Sequence, residues 1–142
     1  MIIRKGSAHW RGDLKNGKGT VSTGSGALAE QPYGFNTRFE DKQGTNPEEL
    51  IGAAHAGCFS MALALNITEE GFVAEHIDTV AEVKLEKSDD GFSITEVQLK
   101  VAAAVPGMDK ETFERLAAKT KEGCPVSKVL NAKINLTTEF NT

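Results

Sequence analysis

The 142-residue chain is predicted to be an α+β protein: short strands, one long helix, a hairpin, two more helices and a closing strand, with no repeated strand–helix–strand unit. Three observations carry this. Gly6, Gly12, Gly17, Gly19, Gly24, Gly26 and Gly34 punctuate the first 40 residues, which admits strands and turns but no stable helix. A helix start follows at Asn46-Pro47-Glu48-Glu49, and beyond it two alternating runs flank Asp89-Asp90-Gly91, a hairpin signal.

The early strands fall at Ser7–Arg11 and Thr20–Thr23, with Gln31-Pro32-Tyr33-Gly34 as a turn. Phe35–Phe39 reads as a further short strand, placing Phe35, Thr37 and Phe39 on one face and Asn36 and Arg38 on the other. Asn46 is the expected N-cap of the long helix, Pro47 its first residue, and Gly71 its end after Glu69–Glu70. Leu50, Ala54, Cys58, Met61 and Leu65 recur at helical spacing, with Gly57 beside the cysteine. The stripe is rich in small residues, so the helix reads as buried with another backbone close by.

In the hairpin Ile77, Thr79, Ala81, Val83 and Leu85 share one face. The partner strand, Phe92–Val105, switches apolar parity between Ile94 and Val97, which predicts a bulge or twist near Thr95–Glu96. A second helix fits Asp109–Glu122, with Phe113, Leu116, Ala117 and Thr120 inward and Gly123 closing it. Cys124-Pro125-Val126-Ser127 opens a third, and Ile134, Leu136, Thr138 and Phe140 point inward from a final strand.

The length predicts one domain, 1–142, and 39% hydrophobic with 25% charged residues is a globular balance. A net charge of −4 with no basic cluster argues against nucleic acid and against an anionic membrane surface. The apolar run Leu50–Leu65 is shorter than the roughly 20 residues of a membrane helix and contains His55. The start, Met1-Ile2-Ile3-Arg4-Lys5-Gly6, lacks the apolar stretch of a secretory signal, so a cytoplasmic, reducing location is expected. There the sequons at Asn66 and Asn135 carry no meaning, and two cysteines are catalytic, redox-active or simply buried rather than a permanent staple.

Cys58, mid-helix on an apolar stripe, has a plain reading as a buried small hydrophobe. Cys124, before a helix beginning with Pro125, is favoured locally as the more acidic thiol, because unpaired amides stabilise a thiolate. Arg38, one of four arginines among 16 basic residues, is a candidate cation for Cys58. Glu48 and Glu49 compete for roles in the first helical turn, and spacing does not rank them. His55, three residues before Cys58, is either a packed histidine or a base for that thiol. His9 and His76 stand alone, and no metal-ligand spacing occurs. Gly12-Asp13-Leu14-Lys15-Asn16-Gly17-Lys18 has P-loop spacing, but Gly19 stands where Ser or Thr binds magnesium, so it reads as a polar turn.

Taken together, Gln31-Pro32-Tyr33-Gly34-Phe35-Asn36-Thr37-Arg38-Phe39, Gly44-Thr45-Asn46-Pro47-Glu48-Glu49-Leu50, Ala53 to Leu63 around Cys58, and Gly123-Cys124-Pro125-Val126-Ser127 resemble the OsmC/Ohr family over nearly the whole chain. Gly57 stands where alanine is common in that family. The resemblance implies an intertwined α+β homodimer with antiparallel-rich sheets packed around a long buried helix carrying the first cysteine. It implies a thiol-dependent peroxidase acting on organic hydroperoxides, and more weakly on hydrogen peroxide. Cys58 is then the attacking cysteine, Cys124 the resolving one, Arg38 the cation that stabilises the thiolate and Glu48 its partner. No bound cofactor or metal is implied; an external dithiol or lipoylated protein re-reduces the Cys58–Cys124 disulfide. Two rival readings are a non-catalytic homodimer holding a hydrophobic ligand at its interface, and thioester hydrolysis by Cys58 with His55.

Overall fold

A computed structural model describes residues 1–142, which pack as two compact units, Met1–Leu50 and Ile51–Thr142. In the first unit, β1 (Gly6–Arg11), β2 (Lys18–Thr23) and β3 (Gln31–Tyr33) form an antiparallel sheet in that order. The P-loop-like stretch is the β1–β2 turn. The Asp13 carboxylate accepts the Asn16 N–H at 2.7 Å there, an ordinary Asx-type turn. The expected turn at residues 31–34 is instead mostly β3, with Tyr33 opposite Gly19 and its ring 5.6 Å from that of Trp10. Pro32 is tolerated because β3 is the sheet's edge.

Phe35–Phe39 is a one-turn helix, α1, and not a strand. Gly34 N–H donates to Thr37 Oγ1 at 2.8 Å, and that hydroxyl donates back to Gly34 O at 3.1 Å, closing the turn. Helical spacing brings Phe35 and Phe39 together, ring centroids 5.1 Å apart. The alternating faces expected of a strand do not exist.

Helix α2 (Pro47–Glu69) begins as the sequence predicts: Asn46 Oδ1 accepts the Glu49 N–H at 2.8 Å, while its amide donates to Thr37 O. The helix starts in the first unit and continues through the second.

In the second unit β4 (His76–Ser88), β5 (Gly91–Ala104) and β6 (Lys133–Asn141) lie in that order, β4 antiparallel and β6 parallel to β5. The Asp89-Asp90 loop makes the hairpin, and Gly91 supplies the positive φ of 105° that the turn requires. The bulge falls at Thr95: Lys84 pairs with Glu96 and Leu85 with Ile94. Helices α3 (Lys110–Gly123) and α4 (Pro125–Val129) fill the crossover from β5 to β6. Asp109 caps α3 through the Thr112 N–H at 2.7 Å, and Phe113, Leu116, Ala117 and Thr120 are buried as their spacing predicts.

Phe59, Leu63 and Ile67 of α2, Val97, Leu99, Val101 and Ala103 of β5, and Phe113, Leu116 and Ala117 of α3 form one core. The buried stripe of α2 is therefore Gly52, His55, Phe59, Leu63 and Ile67, not the expected one. Met61 and Leu65 are 78% and 58% exposed. Both stripes are apolar, so periodicity does not distinguish them. Gly52 matters in this packing, because a Cβ there would sit 3.1 Å from Ala81 O of β4. At 23 residues, with mean hydropathy 1.6 over its most apolar window, α2 is long and apolar enough to cross a membrane. One stripe of it, Phe59, Leu63 and Ile67, lies in the core, and polar side chains along it find partners in the rest of the unit. Ser60 bonds Thr79 at 2.7 Å, Asn66 donates to Thr120 Oγ1 at 2.8 Å, and His55 is fully buried.

Phe113 is fully buried and stacked on Phe140 at 4.5 Å. Phe113→Ala is expected to cost about 3–5 kcal/mol in urea unfolding. Asn46→Ala is expected to cost about 1 kcal/mol, the loss of one cap.

Candidate active site

The two cysteines are 66 positions apart in sequence, and the second unit brings their sulfurs to 3.0 Å, both as free thiols. Cys58 sits in mid-α2 and is half-buried; Cys124 is the N-cap of α4 and has no exposed surface. On geometry alone either sulfur can hold the shared proton. The surroundings decide. Burial pushes the Cys58 thiol up, the hydrogen bond and charge of Cys124 push it further, and the Val126 N–H offsets only part of this. Burial also acts on Cys124, but hydrogen bonds from Cys58, the Ser127 N–H and hydroxyl, and the Val126 N–H outweigh it and hold its pKa below the ordinary thiol value. None of these is a tight capping bond; several donors facing one sulfur produce the effect. Cys124 is thus the more acidic thiol of this reduced pair, as its position before Pro125 predicts.

Within the first unit Arg38 and Glu48 form a forked ion pair, Nε to Oε1 at 2.9 Å and Nη2 to Oε2 at 3.0 Å. Such bidentate geometry fixes the plane of the guanidinium as well as its position. The Arg38 guanidinium also lies over the Phe39 ring, 5.3 Å from its centroid. Arg38 comes from α1 rather than from the polar face of a strand. Glu48 is buried and Glu49 exposed, so the competition that spacing left open resolves to Glu48 as the carboxylate that meets the arginine.

His55 does not pair with Cys58. Its Nε2 lies 2.7 Å from Ser127 Oγ, and its Nδ1 is buried without a partner. Burial lowers its pKa, so the imidazole is neutral at pH 7. Ser127 is the functional candidate that sequence reasoning passed over. The only signal was its place three residues after Cys124, where the third residue of a helix turns back to the cap. His76 meets Asp78 at 3.0 Å on the surface, and no three His, Cys, Asp or Glu side chains gather as a metal site.

A hairpin with a parallel third strand, backed by a long helix, and a pair of thiols within reaction distance define a small thiol-redox class of α+β protein. The family model described as OsmC-like protein matches residues 39–139. Peroxiredoxin OsmC of Escherichia coli is 63% identical over 135 residues, 95% of this chain and 94% of that protein. The organic hydroperoxide resistance protein OhrB of Bacillus subtilis is 27% identical, over 86% of this chain and 88% of that one. In structure, this chain superposes on OhrB with a TM-score of 0.70 at 24% identity, covering 95% and 98% of the two chains. An OsmC-like protein of Vibrio cholerae gives 0.77 at 15% identity, covering 97% and 99%. The chain belongs to the OsmC family.

The buried neutral His55 sets a pH dependence. Its folded pKa lies below the unfolded value of 6.5, so its share of stability is complete above that value and is lost as pH falls from it toward the folded pKa. Melting temperatures measured across this window are expected to fall less steeply for His55→Gln than for the parent chain.

Proposed function

We propose that Cys58 attacks the peroxide and that Cys124 resolves the product, in a thiol-dependent peroxidase that prefers organic hydroperoxides to hydrogen peroxide. The observation that carries this reading is the 3.0 Å separation of two free sulfurs from α2 and α4. The names of the E. coli and B. subtilis relatives, a peroxiredoxin and an organic hydroperoxide resistance protein, support the reaction class. The chain is a Cys-based peroxidase.

The chemistry needs no bound group. The Cys58 thiolate attacks the terminal oxygen of ROOH and the O–O bond breaks; ROH leaves after protonation and Cys58 becomes a sulfenic acid. The Cys124 thiolate then attacks the Cys58 sulfur, the S–S bond forms, and hydroxide departs as water. An external dithiol returns two electrons and is itself oxidised to a disulfide. A small dithiol or a lipoylated protein fits that role. Before attack the proton on Cys58 must go, and the Cys124 sulfur lies 3.0 Å away.

Arg38 is the cation of this reading, stabilising the Cys58 thiolate, and Glu48 holds it in orientation. The family resemblance and the forked ion pair support both roles. A cytoplasmic homodimer completes it. The exposed stripe of α2, with Ala54, Gly57, Met61 and Leu65, is an apolar and partly small-residue surface suited to a second copy of the helix. The thioester reading loses its support, because His55 is engaged with Ser127.

Mass measurement under non-reducing conditions, after one equivalent of cumene hydroperoxide, is expected to show loss of two hydrogens through a Cys58–Cys124 bond. An unchanged mass would favour the non-catalytic ligand-binding reading. Cys58→Ser is expected to abolish turnover, and Cys124→Ser to react once and stop at the sulfenic acid. Arg38→Ala should slow oxidation of Cys58; an unaltered rate removes the arginine from the site. Met61→Glu is expected to shift light-scattering mass from dimer to monomer.

A further inference from the structure

The disulfide reading leaves open which sulfur the reductant attacks, and the surroundings of the two cysteines differ in a way that answers it. Cys124 has no exposed surface, while Cys58 is half-buried. Behind Cys124 lies a short polar chain: Ser127 is the third helical residue after the Cys124 cap, its hydroxyl is among the groups that hold the Cys124 thiol acidic, and its Oγ is 2.7 Å from His55 Nε2. His55 is fully buried, and its other nitrogen has no partner. Of the two neutral tautomers, one strands a buried N–H at Nδ1, and the other strands only a lone pair there. Orphaned buried N–H groups are the rarer of the two, so Nε2 carries the proton. His55 Nε2–H then donates to Ser127 Oγ, whose own hydrogen is left to point at Cys124. Donors in series polarise one another in a low-dielectric interior. Cys58 receives nothing comparable, sharing the Val126 N–H with Cys124.

We propose that His55 and Ser127 are positioning residues that hold Cys124 as the departing sulfur in the reductive half of the cycle, so that the external dithiol attacks Cys58. This rests on the disulfide reading given above. In the step, a reductant thiolate bonds to Cys58 Sγ as the Cys58–Cys124 bond breaks. The electron pair goes to Cys124, where the Ser127 hydroxyl receives it as a thiolate. The second thiol of the reductant, as thiolate, then attacks its neighbour in the mixed disulfide and releases Cys58. The reductant ends as a disulfide, two electrons poorer. Thiol exchange favours departure of the more acidic thiol. The titratable group facing Cys124 directly is Cys58, and His55 faces it through Ser127. Lys121, Glu122 and Lys128 line a surface depression together with Ser127.

The test separates this proposal from the peroxidase reading, because its first arm uses no peroxide. In a Cys58→Ser background, ultraviolet thiolate absorbance follows the titration of Cys124. Ser127→Ala is expected to move the midpoint up by about one unit, and Ser127→Thr, which keeps a hydroxyl, to restore it. With the disulfide preformed by diamide, Ser127→Ala is expected to slow reduction by dithiothreitol about 3-fold. The rate at which peroxide oxidises Cys58 should change less than the rate of reduction does. His55→Gln, which retains a donor amide, should lie closer to the parent than His55→Leu; Ser127→Ala alone decides the matter if His55→Leu does not fold. Glutathione, a monothiol, should be trapped on Cys58 in peptide mapping. An unmoved Cys124 titration, equal slowing of both half-reactions, or glutathione on Cys124 would overturn the proposal. A parent chain that forms no disulfide with peroxide sinks the peroxidase reading instead.

Discussion

The contact between the sulfurs of Cys58 and Cys124 is the constraint on which the second unit's architecture turns. One sulfur is presented from the middle of a long helix and the other from the cap of a very short one, and the two helices are tied by the His55–Ser127 hydrogen bond. Cys58 is fixed because Phe59, next to it, is locked in the core with Leu63 and Ile67. Cys124 is fixed because α3 ends immediately before it, its amide donating to Thr120 O at 2.9 Å, and α3 is seated by Phe113 and Leu116. Two seatings in one shared core therefore converge on one sulfur–sulfur distance. Both thiols are partly or wholly out of water, so a charge on either is costly unless donors meet it. The donors cluster around Cys124.

Helix α2 meets a second demand. Its inner stripe must fill the core, and its outer stripe carries Met61 and Leu65 in the open. A helix apolar on both sides, whose polar side chains between Leu50 and Ile67, the Cys58 thiol aside, are Ser60, Asn66 and His55, each with a hydrogen-bond partner, is economical with side chains and poor in directional information. Small residues let it serve in close quarters. Gly52 admits the backbone of β4, and no neighbouring atom approaches the position a Cβ would take at Gly57.

Much of this was legible in the chain because local signals agreed with the fold. The Asn46 cap, the Asp89-Asp90-Gly91 loop, the parity switch at Thr95 and the inward face of α3 each depend on neighbours a few residues away. Phe35–Phe39 reads as a strand in sequence because five residues with aromatics at both ends satisfy a strand and a single helical turn equally; the reciprocal Gly34–Thr37 bonds decide for the helix. The stripe of α2 that turns inward was hidden by the apolarity of both. Pairing of Arg38 with Glu48 rather than Glu49 came from resemblance and geometry, not from spacing. Ser127 was silent because its partner His55 lies 72 residues away. The parallel course of β6 was equally silent, since alternation reveals a strand's faces but not its direction.

That parallel course has a consequence for how the molecule comes into being. An antiparallel neighbour closes through a tight loop, as β4 and β5 do. A parallel one must wait for the whole connection between the strands to be laid down. Here the connection is α3 and α4, and it carries Cys124. The loop that must close before β6 pairs with β5 is the same stretch that brings the second sulfur to the first. Non-local pairing of this kind is slow relative to hairpin and helix formation. On these rates the helix that carries Cys58 is expected to form before Cys124 reaches it. The thiol pair is thus expected among the later contacts of the unit, made across the same connection that lets β6 reach β5.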